Sequence, residues 1–181
     1  YHVREIAISD DLFNANPARA IALCERIVTE KLVLPWSCPN GLRVDTVTAE
    51  FLKKMKQAGC YRIAFGVESG SQKILDHMGK QITLQQIETA FGHAKNAGIK
   101  TTAFLMLGNP RDTEETMQQT IDFTKKLSPD FAQFTIATPY PGTALYDLVQ
   151  AEGRLLVQDW EGYDKYENTV FFEMEGMDQE L

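Results

Sequence analysis

Apolar and polar residues fall into strand-like runs followed by helical spacing five times along the chain. Runs rich in β-branched and aromatic residues occur at positions 4–9, 32–37, 61–67, 100–107 and 131–138, and each leads into a stretch with apolar residues every three or four positions. The runs start about 30 to 40 residues apart, the length of a strand–helix–strand crossover. That order predicts a parallel sheet. Four of the helical stretches begin with a side chain able to accept the orphan amides of a first turn. These are Asn16 before Pro17, Thr48 before Phe51, Leu52 and Met55, Thr83 with Gln86 three residues on, and Asp112 with Glu115 three residues on. The last two pairs have the form of a capping box. After Thr83, the residues Ile87, Ala90, Phe91 and Ala94 form one apolar stripe that Gly98 ends, so this helix is expected to pack outside the strands.

Crossovers in series either curl into part of a TIM-like (β/α) barrel or lie as an open doubly wound sheet. The expectation is an α/β partial barrel of parallel strands. In both arrangements ligands bind beyond the carboxyl ends of the strands. Asp10, Asp11 and Phe13 follow the first run, Cys38, Arg43 and Asp45 the second, and Glu68, Ser69 and Gly70 the third. Gly108, Asn109, Pro110 and Arg111 follow the fourth, and residues 139–143, which include Tyr140, the fifth. Such residues ordinarily serve turns and caps, yet five polar exits on one face also suit a binding site. At the third exit a carboxylate stands between Gly66 and Gly70, where a backbone without Cβ permits close approach. An ionised Glu68 can accept hydrogen bonds from both hydroxyls of a ribose. Glu68 or Ser69 can equally cap the helix that runs from Ser71 toward Met78.

Composition narrows the partners. The chain has 181 residues, enough for one domain with a substantial core, and no apolar run long enough to span a bilayer. A formal net charge of -7 disfavours a phosphate backbone, so small molecules rather than nucleic acid are the expected ligands. Cys24, Cys38 and Cys60 are odd in number and lie 14 and 22 residues apart, which argues against a disulfide framework and for a reducing, cytoplasmic compartment. Buried thiols are the expected role of all three. His2, His77 and His93 lack metal-ligand spacing. The opening residues carry charges and no signal-peptide pattern, so the chain is expected to continue upstream of Tyr1.

A specific resemblance rests on motifs taken together. Residues 66–71, Gly-Val-Glu-Ser-Gly-Ser, with 74–80, Ile-Leu-Asp-His-Met-Gly-Lys, resemble the fourth strand and following helix of radical S-adenosylmethionine (SAM) enzymes. Arg43-Val44-Asp45, residues 56–60 and Leu107-Gly108-Asn109-Pro110 with Thr113 to Thr116 follow in that family's order, as do residues 138–146. The match covers roughly residues 3–153 and is nearest to the branch that often carries a cobalamin-binding domain and includes cyclases, methyltransferases and methylthiotransferases. The resemblance implies a six-stranded partial barrel, of which about five strands are present at residues 1–153, with a C-terminal extension at 154–181. It also implies a [4Fe–4S] cluster on a Cys-x3-Cys-x-aromatic-Cys loop after the first strand. Cys24, Cys38 and Cys60 do not have that spacing, so no metal ligand is expected among these residues and the chain alone is expected to be inactive.

Carried over position by position, the resemblance implies that Glu68 holds the SAM ribose, with Gly66 and Ser69 beside it, and that Lys80 meets the SAM carboxylate. It implies main-chain adenine contacts near Leu107, Ile136 and Thr138, and places Phe104 where some relatives have a second acidic ribose contact. Asp10, Asp11, Phe13, Arg43 and Tyr140 would face a substrate cavity. The implied activity of the parent is that of a radical SAM iron–sulfur oxidoreductase, which cleaves SAM to a 5′-deoxyadenosyl radical that abstracts hydrogen from a small-molecule substrate. A reductant protein would supply the electron, and cobalamin would bind through a further N-terminal domain. The rival reading is a SAM- or nucleotide-binding regulatory barrel without radical chemistry. An uncovered strand edge at residues 4–9 is further expected to promote self-association.

Overall fold

Asn16, Thr48 and Thr83 each cap a helix in the computed structural model, which describes residues 2–157, 159, 162–163 and 169–174. The helices are α1 (Pro17–Thr29), α2 (Ala49–Gln57), α3 (Gln72–His77), α4 (Leu84–Asn96), α5 (Glu114–Leu127) and α6 (Ala144–Glu152). Thr83 and Gln86 form the expected reciprocal box at α4, and the stripe Ile87, Ala90, Phe91 and Ala94 is its buried face. At α5 the cap moves one residue along: Thr113 and Thr116 form the box. Asp112 is instead buried, accepting from the Asn109 backbone N–H at 2.9 Å and the Thr116 hydroxyl at 2.7 Å.

The strands are β1 (Ile6–Ala7), β2 (Trp36–Leu42), β3 (Cys60–Glu68), β4 (Lys100–Leu107) and β5 (Phe131–Ile136), all parallel, in the spatial order β1-β2-β3-β4-β5. A doubly wound sheet reverses its strand order at a switch point, whereas a barrel keeps it sequential. The sheet is a curled half-barrel with helices outside. β2 lies later than the run at 32–37 because Leu32 and Val33 are exposed in the link after α1. Its Pro39 is tolerated because the pairing with β3 slips between Cys38 and Leu42, and a bulge is where a strand can lack a donor. Cys38 therefore sits inside the strand, buried, rather than at its exit.

One apolar cluster between sheet and helices contains Phe13, Trp36, Phe51, Phe65, Ile87 and Leu105. Phe13 belongs to this core, its ring 5.6 Å from that of Trp36, and does not face a cavity. A second cluster joins Ala137 and Val149 to Phe171 and Phe172, where β6 (Gly153–Leu155) pairs antiparallel with β7 (Phe172–Met174). Trp160 and Tyr166, part of the C-terminal extension expected from the sequence, lie outside the described residues. Among the described residues no helix is long and apolar enough to cross a membrane.

α5 lies against the turn after β3 with no space to spare. A Cβ added to Gly70 would stand 2.6 Å from the Gln119 carbonyl oxygen and 2.7 Å from Thr120 Cα, both backbone atoms that cannot swing away. Thr120 also accepts from the Gly70 N–H at 3.0 Å. Gly70→Ala is expected to destabilise the fold by about 1–3 kcal/mol, the usual cost of overpacking. Urea unfolding measures it, and an unchanged midpoint would contradict the packing described.

Candidate functional site

β3 leaves the sheet irregularly. Its residues pair one for one with β4 from Arg62 opposite Lys100 to Gly66 opposite Phe104, then slip, so that Glu68 stands opposite Leu105. A bulge of this kind re-aims the side chain that comes after it. Glu68 has φ 63°, a left-handed conformation that a non-glycine residue holds at about 1–3 kcal/mol. So turned, its carboxylate meets the Lys80 ammonium at 2.5 Å. Lys80 arrives from the opposite side because α3 ends on Gly79 at φ 66°, with the Gly79 N–H donating to Asp76 and the Lys80 N–H to Leu75. Gly66 keeps the space between them open: a Cβ there would lie 2.8 Å from Glu68 Oε1 and 3.1 Å from Lys80 Nζ.

The pair is partly shielded, with the Glu68 side chain 18% and that of Lys80 34% exposed. It opens into a cleft of about 420 Å³ whose wall includes Asp11, Gly41, Arg43, Met78, Ile82 and Phe104. Small-molecule sites have volumes of about 300–1,000 Å³. Arg43 is fixed by two hydrogen bonds to Asp45, at 2.9 and 2.6 Å, which hold the Asp45 carboxyl below the usual carboxylate range. The backbone of Arg43 is clamped by buried Asn14, whose side chain donates to the Arg43 carbonyl at 2.8 Å and accepts from the Arg43 N–H at 3.0 Å. Nothing in the sequence singles out Asn14. An asparagine between a strand and a helix start reads as ordinary turn chemistry.

Of the residues expected at a site, Gly66, Glu68, Lys80, Asp11 and Arg43 thus converge on one cleft, and Phe104 joins them. The others lie elsewhere. Ser69 is buried in the turn, its hydroxyl paired with Thr120 at 3.1 Å and accepting from the Ser71 N–H. Asp10 accepts from the Leu12 N–H and pairs with Arg19 at 3.4 Å. At the exits of β4 and β5 the Leu107 carbonyl accepts from the Ala137 N–H at 2.9 Å, the Thr138 hydroxyl turns back to the Ile136 carbonyl at 3.0 Å, and Ile136 packs on the second cluster. Tyr140 stacks on Tyr163 with ring centroids 5.7 Å apart.

A model of the radical SAM superfamily matches residues 8–124. The chain belongs to the radical SAM superfamily. It is 42% identical over 163 residues to an uncharacterized methyltransferase of Pyrococcus horikoshii, covering 90% of this chain and 35% of that protein. It is 27% identical over 158 residues to the anaerobic magnesium-protoporphyrin IX monomethyl ester cyclase of Rubrivivax gelatinosus, covering 87% of this chain and 28% of that protein. The chain therefore spans about a third of the length of these relatives. Among solved structures, the radical SAM methyltransferase TsrM of Kitasatospora setae, with tryptophan and a SAM analogue bound, superposes with a TM-score of 0.71 at 20% identity, over 84% of this chain and 32% of that one. At that identity the likeness is one of fold.

Radical SAM enzymes use SAM and a [4Fe–4S] cluster. The cleft fits the first, because it offers a carboxylate, an ammonium and a glycine-lined approach. The three cysteines do not fit the second. They share the main core, where burial, reinforced by Glu25, raises the Cys24 thiol from 9.0 to about 11. Burial, with Cys24 and Asp10 adding to it, raises Cys38 to about 12, and Cys60 is raised as well. A cluster needs thiolates. Among the described residues no three His, Cys, Asp or Glu side chains form a metal-binding group.

The raised thiols make stability depend on alkaline pH. Below pH 9.0 folded and unfolded chains both keep the thiol protons; above it the unfolded chain releases them first and is stabilised relative to the fold. Each thiol should remove about 1.4 kcal/mol per pH unit until its folded value is reached. Urea unfolding of wild type and Cys38→Ala between pH 8 and 11 reads the effect. The variant should show the shallower loss, and equal slopes would remove Cys38 from the account.

Proposed function

We propose that this chain forms the SAM-binding wall of a radical SAM enzyme whose whole-protein reaction is methyl transfer or ring closure. The Glu68–Lys80 pair inside the cleft is the observation that carries the reading. Each charge offers one complementary contact to SAM: Glu68 accepts the two ribose hydroxyls and Lys80 holds the carboxylate. In exchanging partners the two side chains separate, and Gly66 leaves them room to do so. Leu107, Ile136 and Thr138, on the neighbouring strand exits, supply the adenine edge, and Ser69 holds the turn that aims Glu68. Asp11 and Arg43 face the substrate across the cleft mouth, and Asp10 and Tyr140, which lie outside the cleft wall, would meet only the parts of a substrate that extend beyond it. In the whole protein, SAM held here would supply the 5′-deoxyadenosyl radical of radical SAM chemistry. The protein's part is to orient it and exclude water.

The names of the relatives favour methyl transfer or cyclisation over plain oxidoreduction. TsrM binds cobalamin and a [4Fe–4S] cluster, which supports the same cofactors in the whole protein here, fed by a reductant protein. The rival regulatory barrel would bind SAM equally well and form no 5′-deoxyadenosine.

In the whole cluster-bearing protein, Glu68→Gln, Lys80→Met and Gly66→Ala should each weaken SAM binding at least tenfold by calorimetry. Gly66→Ala should leave the unfolding midpoint near wild type, because its added methyl meets only the flexible ends of two side chains. Undiminished affinity in all three variants would remove the cleft from SAM binding. Anaerobic turnover without 5′-deoxyadenosine would favour the regulatory reading.

A further inference from the structure

Toward the amino ends of the strands, the hollow face of the sheet holds a second cavity of about 450 Å³. Phe104 lies in the walls of both cavities, so its ring is the partition between this chamber and the Glu68 cleft. Arg62, Thr102, Phe131 and Gln133 line the lower chamber. Thr102 stands opposite Phe131 and Phe104 opposite Gln133 across the β4–β5 ladder, which puts these side chains on one face.

Arg62 is the unusual member. Among the described residues, the other half-buried lysine and arginine side chains, Lys54 and Lys80, each hold a carboxylate. The Arg62 guanidinium makes neither an ion pair nor a hydrogen bond there; its contacts are the rings of Tyr61 and Phe131, at 5.8 and 6.0 Å. The Glu5 carboxylate is engaged by the Tyr61 hydroxyl. A guanidinium is always charged and carries five donors in a planar fork that matches a carboxylate, so leaving it half out of water without an acceptor is unfavourable. An oxyanion entering the chamber would satisfy those donors while its apolar body covered two aromatic rings.

We propose that the chamber beneath Phe104 binds an organic carboxylate, with its head on Arg62 and its apolar body along Phe104 and Phe131. Thr102 and Gln133 offer further polar contacts to the head. An acid long enough to pass the Phe104 ring would present its far end to the upper cleft, which makes a carboxylate-tailed molecule the substrate class this geometry suits. The binding step does not depend on the SAM assignment.

Benzoate and its neutral isostere benzamide are the probes, titrated into the protein while NMR follows the Arg62 Nε–H and calorimetry reads affinity. Benzoate should shift that resonance saturably, benzamide should bind at least tenfold more weakly, and Arg62→Gln should lose benzoate binding at least tenfold. Glu68→Gln should leave benzoate affinity unchanged, which separates this test from that of the SAM cleft. A benzoate shift no larger at Arg62 than at exposed Arg111, equal binding of benzamide, or full affinity in Arg62→Gln would each overturn the proposal. If Arg62→Gln does not fold, the comparison of the two probes on wild type still decides.

Discussion

The Glu68 carboxylate reaches Lys80 only because the backbone at Glu68 is left-handed, and that conformation is held by the next two residues of the chain. Ser69 and Gly70 are anchored to one side chain on α5, Thr120, through the Ser69 hydroxyl at 3.1 Å and the Gly70 N–H at 3.0 Å. Both bonds are buried, so breaking them would leave polar groups without water. The strain at Glu68 is thus opposed by hydrogen bonds one and two residues later. The two flanking glycines have different tasks. Gly66 clears space for two charged side chains, whereas Gly70 admits the backbone of a helix.

The same geometry makes the exit of β3 a rigid post and the approach of Lys80 an adjustable arm. α3 has only six residues, and its closing turn places a long side chain over the carboxylate. Opposite, Asn14 fixes the Arg43 backbone while the guanidinium stays at the cleft mouth on Asp45. Charges facing the cleft are therefore held by neutral buried groups behind them, which lets each exchange partners without loosening the sheet.

Much of this architecture is legible in the chain. The stripe Ile87, Ala90, Phe91 and Ala94 and the caps Asn16, Thr48 and Thr83 depend on local spacing, which sequence carries directly. β2 is harder to place because Pro39 and Gly41 look like a turn, and only the neighbouring β3 shows that they sit in a bulge. Asp112 has a side chain able to cap a helix; the competing bonds from Asn109 and Thr116 are tertiary and invisible to spacing. The motif resemblance names Glu68 and Lys80 as residues, but neither the slipped register nor the positive φ that brings them together has a periodic signature. Arg62 carries no motif at all, and its unmet donors emerge only when the partners of each cation are traced in space.

The two apolar clusters give the molecule an unequal tolerance of local opening. The larger ties α1, α2 and α4 to the sheet, while the smaller depends on Phe171 and Phe172 returning to the end of β5 beside α6. A segment secured by few buried apolar groups separates at lower free energy than the whole. Release of the β6–β7 ribbon would uncover Ile136 and Ala137 while leaving Glu68, Lys80 and Asn14 in register. Amide hydrogens at the tail of β5 would then exchange ahead of those in β3, so the strand exits fall into a persistent half and a breathing half.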